Sequence, residues 1–99
     1  MLIHRFAPSA TTASGSWSGN TLKFSGAVCN QVLIKSDTST TTFDVSIIDN
    51  GSRTIRRWKN IKDILNDLTQ FPVVGVCTVN ITNADADEPF TILLCFLDG

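Results

Sequence analysis

Apolar and polar side chains alternate along several short stretches of this chain, and the clearest alternation opens a hairpin. Residues Phe43–Ile47 place an apolar side chain at every second position, which is typical of a strand with one buried face. The run ends at Asn50-Gly51, which favours a tight hairpin turn because both residues tolerate positive φ. The polar and apolar residues of Thr54–Trp58 then predict the returning strand.

The same two-residue period recurs on both sides of the hairpin and predicts further strands. These runs are Thr21–Phe24, Val28–Lys35, Val76–Thr82 and Phe90–Leu97. The last run is apolar on both faces, and a strand of this kind is covered on both faces. We therefore expect its outer face to pack against either a helix or another subunit.

One segment departs from this period and predicts a helix. Ile61, Ile64, Leu65 and Leu68 follow the i, i+3, i+4, i+7 spacing of a helical stripe. Asn60 could cap this helix, and Pro72 lies beyond its end. A helix of about two turns is unstable alone, so we expect it to dock on the sheet.

These elements predict an all-β, single-domain β-sandwich, jelly-roll-like or immunoglobulin-like, with one short helix around residues 60–68. The count is about seven short strands separated by turn residues, which is typical of sandwiches. A chain of 99 residues is long enough for one core. Residues 1–16 are expected to form an N-terminal strand or arm with a flexible connection, and residues 17–99 the sandwich.

Composition narrows the classes of function. The formal net charge is −1, which disfavours nucleic-acid binding by the chain as a whole. No segment resembles a signal peptide, and no apolar run reaches the ~20 residues that span a bilayer. The three cysteines, Cys29, Cys77 and Cys95, lie in strand patterns and suit reduced, buried thiols in a cytoplasm, although a Cys77–Cys95 bridge stays open. With His4 as the one histidine, we expect no metal site and no cofactor.

Charge is distributed unevenly, and this asymmetry supplies the candidate partner-binding residues. A basic segment contains Arg53, Arg56, Arg57, Trp58, Lys59 and Lys62, and an acidic loop contains Asp85, Asp87 and Glu88. The basic segment could be a solvated edge that resists aggregation, a patch complementary to the acidic loop of a copy or partner, or a phosphate contact. We select these nine residues as the candidate partner-binding set.

No motif for catalysis is present in the sequence, so we expect no enzyme. A nucleophilic Ser or Thr needs a nearby base, and no Gly-x-Ser-x-Gly motif occurs. Trp17 and Trp58 could instead form a stacking platform for sugars, because aromatic faces carry recognition at surfaces. A carbohydrate- or receptor-binding module is therefore the alternative function.

From Phe43 onward the chain carries a series of strand and turn motifs, namely the strand Phe43–Asp49, Asn66-Asp67-Leu68, the run Phe71–Ala84, and the acidic turn with the strand after it, Asp87–Phe90. In these motifs the chain resembles small β-sandwich virion proteins of tailed bacteriophages, and on such a particle the carbohydrate- or receptor-binding module would be a tail or fibre component. The resemblance implies a capsid decoration (cement) protein, or a related head or tail component, that is made in the host cytoplasm and resides in the virion. Its implied partners are the major capsid protein or neighbouring copies in a homo-oligomer.

Overall fold

A computed structural model of the chain describes residues 2–21, 23–38, 42–50, 53–68 and 70–98, without the side chains of residues 2 and 98. These residues form ten strands. The strands are β1 (Leu2–Phe6), β2 (Ser9–Thr12), β3 (Trp17–Asn20), β4 (Phe24–Ser36), β5 (Thr42–Ile48), β6 (Thr54–Lys62), β7 (Ile64–Asp67), β8 (Phe71–Gly75), β9 (Thr78–Thr82) and β10 (Glu88–Asp98).

The strands form two antiparallel sheets. In the six-stranded sheet, β10 pairs with β1 and β2 on one side and with β4 on the other, and β4 also pairs with β7 and β8. The four-stranded sheet has the order β3-β9-β5-β6. The all-β prediction with two packed sheets is confirmed.

The pairing partners are nested around the middle of the chain. β5 pairs with β6 as the innermost pair, β4 pairs with β7 and β8 outside it, β3 pairs with β9, and β1 and β2 pair with β10 as the outermost set. The chain is therefore arranged like one long hairpin whose two arms have been rolled together into two sheets.

A single apolar core lies between the two sheets. Phe43 on β5 meets Phe90 on β10 edge to face, with ring centroids 4.9 Å apart, which is a favourable geometry for aromatic pairs. Burying each large apolar side chain contributes about 1.5–3 kcal/mol. The largest apolar side chains that are fully buried are Phe43, Phe71, Phe96, Ile34, Ile47, Ile81, Leu94, Val32, Val45, Val73 and Val79.

The predicted hairpin is present as β5 and β6. The two strands are antiparallel, with Val45 opposite Trp58 and Ile47 opposite Arg56. The backbone N–H of Asp49 donates to the carbonyl of Arg53 at 2.8 Å and closes the turn. Residues 51 and 52 of the predicted turn lie outside the described residues.

The predicted helix at residues 60–68 is wrong, because the segment continues β6 and then forms β7. Asn60 does not cap a helix; its φ is 56°, and it lies where the β5–β6 register shifts. Asp63 has a φ of 69°, and the chain there leaves the four-stranded sheet for the six-stranded one. Asn and Asp tolerate this left-handed conformation better than other non-glycine residues. The two interruptions break the strand alternation and produce an apolar spacing that imitates a helix.

Residues 1–16 were expected to form a strand or arm with a flexible connection. In the structure β1 and β2 are both strands of the six-stranded sheet, paired with β10. Ala10 and Thr12 are buried, and the Thr12 hydroxyl donates to the carbonyl of Asp85 at 2.6 Å. These strands therefore pack on the same core as the rest of the described chain.

Candidate interaction surfaces

The basic segment lies mainly on β6, at the edge of the four-stranded sheet. The two faces of this strand have different surroundings. Arg56 and Trp58 stand opposite Ile47 and Val45, which belong to the buried face of β5. Arg57 stands opposite Ser46, on the outer face. One part of the predicted basic segment therefore helps to close the core, and the other part faces the solvent.

Arg56 and Trp58 bridge the open edge between the two sheets. The Trp58 indole N–H donates to Oδ2 of Asp67 on β7 at 2.8 Å. The Arg56 guanidinium carbon lies 5.3 Å from the centroid of the Phe71 ring on β8, and the guanidinium donates to the Gln70 carbonyl at 3.5 Å. A cation over a buried aromatic face is a stabilising contact. These two side chains are thus engaged inside the molecule.

Arg57, Lys59 and Lys62 are exposed and form the solvent-facing part of the segment. Near them, Asp44 on β5 accepts hydrogen bonds from the Asn60 backbone N–H at 2.9 Å and from the Asn83 amide at 2.7 Å. These bonds, led by the one from Asn60, lower the pKa of the Asp44 carboxyl. The outer surface here is accordingly a mixture of charges of both signs.

Arg53 lies in the turn before β6 and is tied to the turn itself. Its backbone N–H donates to Oδ1 of Asp49 at 2.9 Å, and its guanidinium Nε lies 3.4 Å from Oδ2. The Arg53 side chain is 86% exposed. An exposed ion pair of this kind contributes at most about 1 kcal/mol.

Glu88 differs from the other residues of the acidic loop because it is buried. Its Oε2 accepts hydrogen bonds from the Ser36 hydroxyl and the Thr38 backbone N–H, both at 3.0 Å. Asp85 and Asp87 are exposed. Asp87 has a φ of 56°, and its N–H donates to the Thr12 carbonyl at 2.6 Å. Glu88 therefore fastens the start of β10 to the end of β4. The exposed charge of the acidic loop comes from Asp85 and Asp87.

Two ion pairs of the described residues join Lys35 to Asp63 and Arg53 to Asp49. The basic segment and the start of the acidic loop approach each other at Asp44, which accepts hydrogen bonds from the Asn60 N–H within the segment and from the Asn83 amide just before the loop.

A further candidate surface is the outer side of the six-stranded sheet, whose residues come from strands far apart in the sequence. We call it the apolar face. Strand register places Leu97 between Ile3 and Val28, and Leu93 beside Leu33. In the row between them, Cys95 stands between Arg5 and Gln31. Ile3 is 60% exposed and Val74 is 67% exposed. The apolar residues of this face are Ile3, Val28, Leu33, Ile64, Pro72, Val74, Leu93, Cys95 and Leu97.

The sequence contained one signal for this face, namely the two apolar faces of the last strand. Either a helix or another subunit was expected to cover the outer face of that strand. Because the helix is absent, no element of the described chain lies on Leu93, Cys95 and Leu97, which are half-buried by their neighbours in the sheet. Single exposed apolar residues are ordinary, but a contiguous apolar patch marks an interaction site.

A polar concavity of about 380 Å³ lies on the opposite, four-stranded sheet. Its lining is rich in amides, and the Thr78 hydroxyl donates to Oδ1 of Asn20 at 2.8 Å. The lining residues are Asn20, Ile48, Asp49, Asn50, Val76, Thr78 and Asn80. Neither tryptophan lines it. Trp17 lies on β3 and Trp58 on β6, which are the opposite edge strands of this sheet, so the structure does not bring the two rings together.

The three cysteines are free thiols with different surroundings. Cys29 and Cys77 are fully buried, and loss of solvation raises the pKa of Cys29 to about 12 and that of Cys77 to about 11. Cys95 is half-buried on the apolar face, with its Sγ 3.7 Å from Oε1 of Gln31. No two of them form a disulfide, including the Cys77–Cys95 pair left open by the sequence.

Metal-binding clusters and membrane-spanning helices are two further features of the described residues to consider. No group of three or more His, Cys, Asp or Glu side chains in the described ranges is arranged to hold a metal ion. The same part of the chain contains no helix with the length and hydrophobicity needed to cross a membrane.

Comparison with known proteins identifies no family for this chain. No family model matches it, and no curated protein matches it. Among solved structures it is similar to a chain in the structure of infectious bursal disease virus Gt strain, with 10% identity, a TM-score of 0.39 and coverage of 99% of this chain. The match spans 32% of the viral chain. A likeness of this degree carries no argument about function, and it lends no support to a tailed-phage origin.

Proposed function

We propose that this chain is a non-enzymatic structural protein of a virion, which acts by binding other virion proteins. More specifically, we propose that the chain decorates or cements an assembled shell, and that it is made in the host cytoplasm before it joins the particle. The proposal does not depend on the type of virus.

The nested strand order carries this proposal. If β1 is grouped with β2, and β7 with β8, the chain has eight strand segments. Counted from the two ends, the first segment pairs with the eighth, the second with the seventh, the third with the sixth and the fourth with the fifth. This is the order of a jelly roll, the double Greek key that viral capsid domains share with lectins and cupins. Because a fold hosts many functions, the choice among these classes has to come from surfaces and sites.

Two of the three thiols and two buried hydroxyls have structural surroundings, which is compatible with a non-enzymatic protein. The buried thiols of Cys29 and Cys77 have raised pKa values, which removes the thiolate that a nucleophilic cysteine needs. The hydroxyls of Thr12 and Ser36 are engaged with the loop around Glu88. The apolar face then offers what a shell component needs, which is an extended surface for protein contact.

Quantitative mass spectrometry of purified particles tests this function. Particles from the source culture would be separated on a density gradient, and peptides of this chain would be measured against the most abundant shell protein. We expect the chain to sediment with the particles in a fixed ratio to that protein. A chain that stays at the top of the gradient, while the shell protein sediments, would contradict the proposal.

A carbohydrate-binding role is the second candidate, and the amide-lined concavity is the observation that favours it. Jelly rolls include lectin domains, and amide groups pair well with sugar hydroxyls. Titration of the labelled protein with a panel of neutral sugars, followed by NMR, would test it. We would expect shifts at Asn20, Asn50 and Asn80 and their loss in an Asn80→Ala variant. A panel that shifts none of these amides would remove this candidate.

A further inference from the structure

No described element lies on the apolar face, and the make-up of the face indicates what covers it. We propose that two copies of this chain pack their apolar faces together, as a twofold dimer with the two β10 strands near its centre. This inference names the partner of a surface already used by the proposed function and rests on it.

The size of the face fits a dimer interface. The molecule measures 38 Å by 23 Å in its two longest directions. β10 has 11 residues and β4 has 13, so both strands run along most of the length. A sheet face of these dimensions approaches the roughly 800 Å² that each partner buries in a standard interface. A peptide or small ligand would leave most of it exposed.

The shape of the face favours a second sheet as its occupant. The two concavities described for the molecule, of about 380 Å³ and about 310 Å³, are lined by residues of the four-stranded sheet and the loops beside it. The outer side of the six-stranded sheet presents instead rows of apolar side chains with polar ones, such as Gln31, Asn66 and Thr91, beside them. Two such surfaces pack about 10 Å apart with their side chains interdigitated, as in the core of a sandwich.

The charges on the face permit a copy of itself as partner. Among its described outward positions, the strands of this sheet carry two cations, Arg5 and Lys35, and no carboxylate. Lys35 is neutralised by Asp63 of the same molecule at 3.2 Å. Arg5 is exposed on β1, the edge strand, directly opposite Cys95 on β10. With Lys35 paired, this leaves little charge of one sign on the face to oppose its own image, and a twofold axis makes the contact closed.

Cys95 is a natural reporter for this contact. It lies between Leu93 and Leu97 on the apolar face, whereas Cys29 and Cys77 are fully buried. Alkylation by iodoacetamide, followed by intact-mass analysis, should therefore modify one thiol. If the faces pack together, the rate at Cys95 should fall at least tenfold between dilute and concentrated protein. Analytical ultracentrifugation of the same samples should show the change from monomer to dimer.

Two variants and one control complete the experiment. Leu93→Lys lies near the proposed centre, and Val74→Lys lies on an exposed rim position where folding is safe. Each should weaken dimerisation at least tenfold, whereas Thr82→Lys, which is exposed on the opposite sheet, should leave it unchanged. Circular dichroism confirms that each variant is folded. A chain that stays monomeric up to about 1 mM, the weak limit of specific association, would overturn the inference. So would a dimer that survives both lysines.

The dimer and the virion role can fail independently of each other. A monomer that still sediments with particles contradicts the dimer and supports the virion role. A dimer that never sediments with particles supports the dimer and contradicts the virion role.

Discussion

The indole N–H of Trp58 on β6 donates to Oδ2 of Asp67 on β7 at 2.8 Å, and this bond ties the edge of one sheet to the edge of the other. The two strands are consecutive in sequence but belong to different sheets. The bond therefore closes the sandwich directly after the corner at Asp63.

Removing this bond should destabilise the fold by a measurable amount. Trp58→Phe keeps an aromatic ring but removes the donor, and a lost hydrogen bond of this kind costs about 1 kcal/mol. Urea denaturation followed by circular dichroism would measure the free energy of unfolding. Lys59→Gln, which changes the exposed neighbour, should alter it by less than about 0.5 kcal/mol. Equal effects of the two substitutions would show that the bond contributes nothing.

Glu88 should behave as a structural residue in spite of its place in the acidic loop. Glu88→Ala leaves the Thr38 N–H and the Ser36 hydroxyl without their acceptor, which costs about 1–3 kcal/mol of folding stability. Asp87→Asn is the matched control, because asparagine tolerates the positive φ at this position. Thermal unfolding should show a lower midpoint for the alanine variant and an almost unchanged midpoint for the asparagine variant. The reverse order would contradict the structural role.

Adjacent arginines on β6 should respond differently to truncation. Arg56→Ala removes the cation over Phe71 and should reduce stability by about 0.5–1 kcal/mol. Arg57→Ala removes an exposed side chain and should change stability by less than about 0.5 kcal/mol. Chemical denaturation of both variants is the measurement. If Arg57→Ala is the more damaging change, the assignment of the two faces of β6 is incorrect.

The buried thiols should make the protein less stable at high pH. Folding raises the pKa of Cys29 from its ordinary value of 9.0 to about 12 and that of Cys77 to about 11, so the folded state holds these protons more tightly than the unfolded state does. Their contribution is complete below pH 9 and is lost as the pH rises toward the folded values. Each thiol should reduce the free energy of unfolding by about 1.4 kcal/mol per pH unit in that interval.

Denaturant unfolding at a series of pH values above 9 would measure this slope. Cys29→Ala should make the slope shallower, because one of the two titrating thiols is gone. A slope that is identical in the parent and the variant would exclude Cys29 as a source of the alkaline instability.

The sequence revealed the paired strands but did not reveal how they share two sheets. The alternation at Phe43–Ile47 and the Asn50-Gly51 dipeptide were sufficient for the β5–β6 hairpin, because both signals are local. The chain passes from one sheet to the other at Asp63, and this passage depends on the positive φ of Asn60 and Asp63. The spacing of Ile61, Ile64 and Leu65 around these two residues resembled that of a helix. Backbone conformation at single Asn and Asp residues is decided by tertiary contacts, which a periodicity does not record.

The candidate surfaces, too, could be predicted only in part from the sequence. Charge counting located the basic segment, yet it could not separate Arg56, which covers Phe71, from Arg57, which faces water. The apolar face combines residues from β1, β4, β7, β8 and β10, and only the sheet order brings them together. The part that could be read in advance was the last strand, because its apolar residues on both faces lie within one run.

The nested pairing has a consequence for how the chain is made. β10 is bonded to β1, β2 and β4, and its register joins Leu2 to Asp98 across almost the whole sequence. The six-stranded sheet therefore cannot be completed until β10 has left the ribosome. Contacts of such long sequence separation also slow folding, because each requires a large loop to close first. A newly made chain must keep its earlier strands from pairing wrongly until β10 is available, which makes that interval the stage at which this fold is most exposed to aggregation.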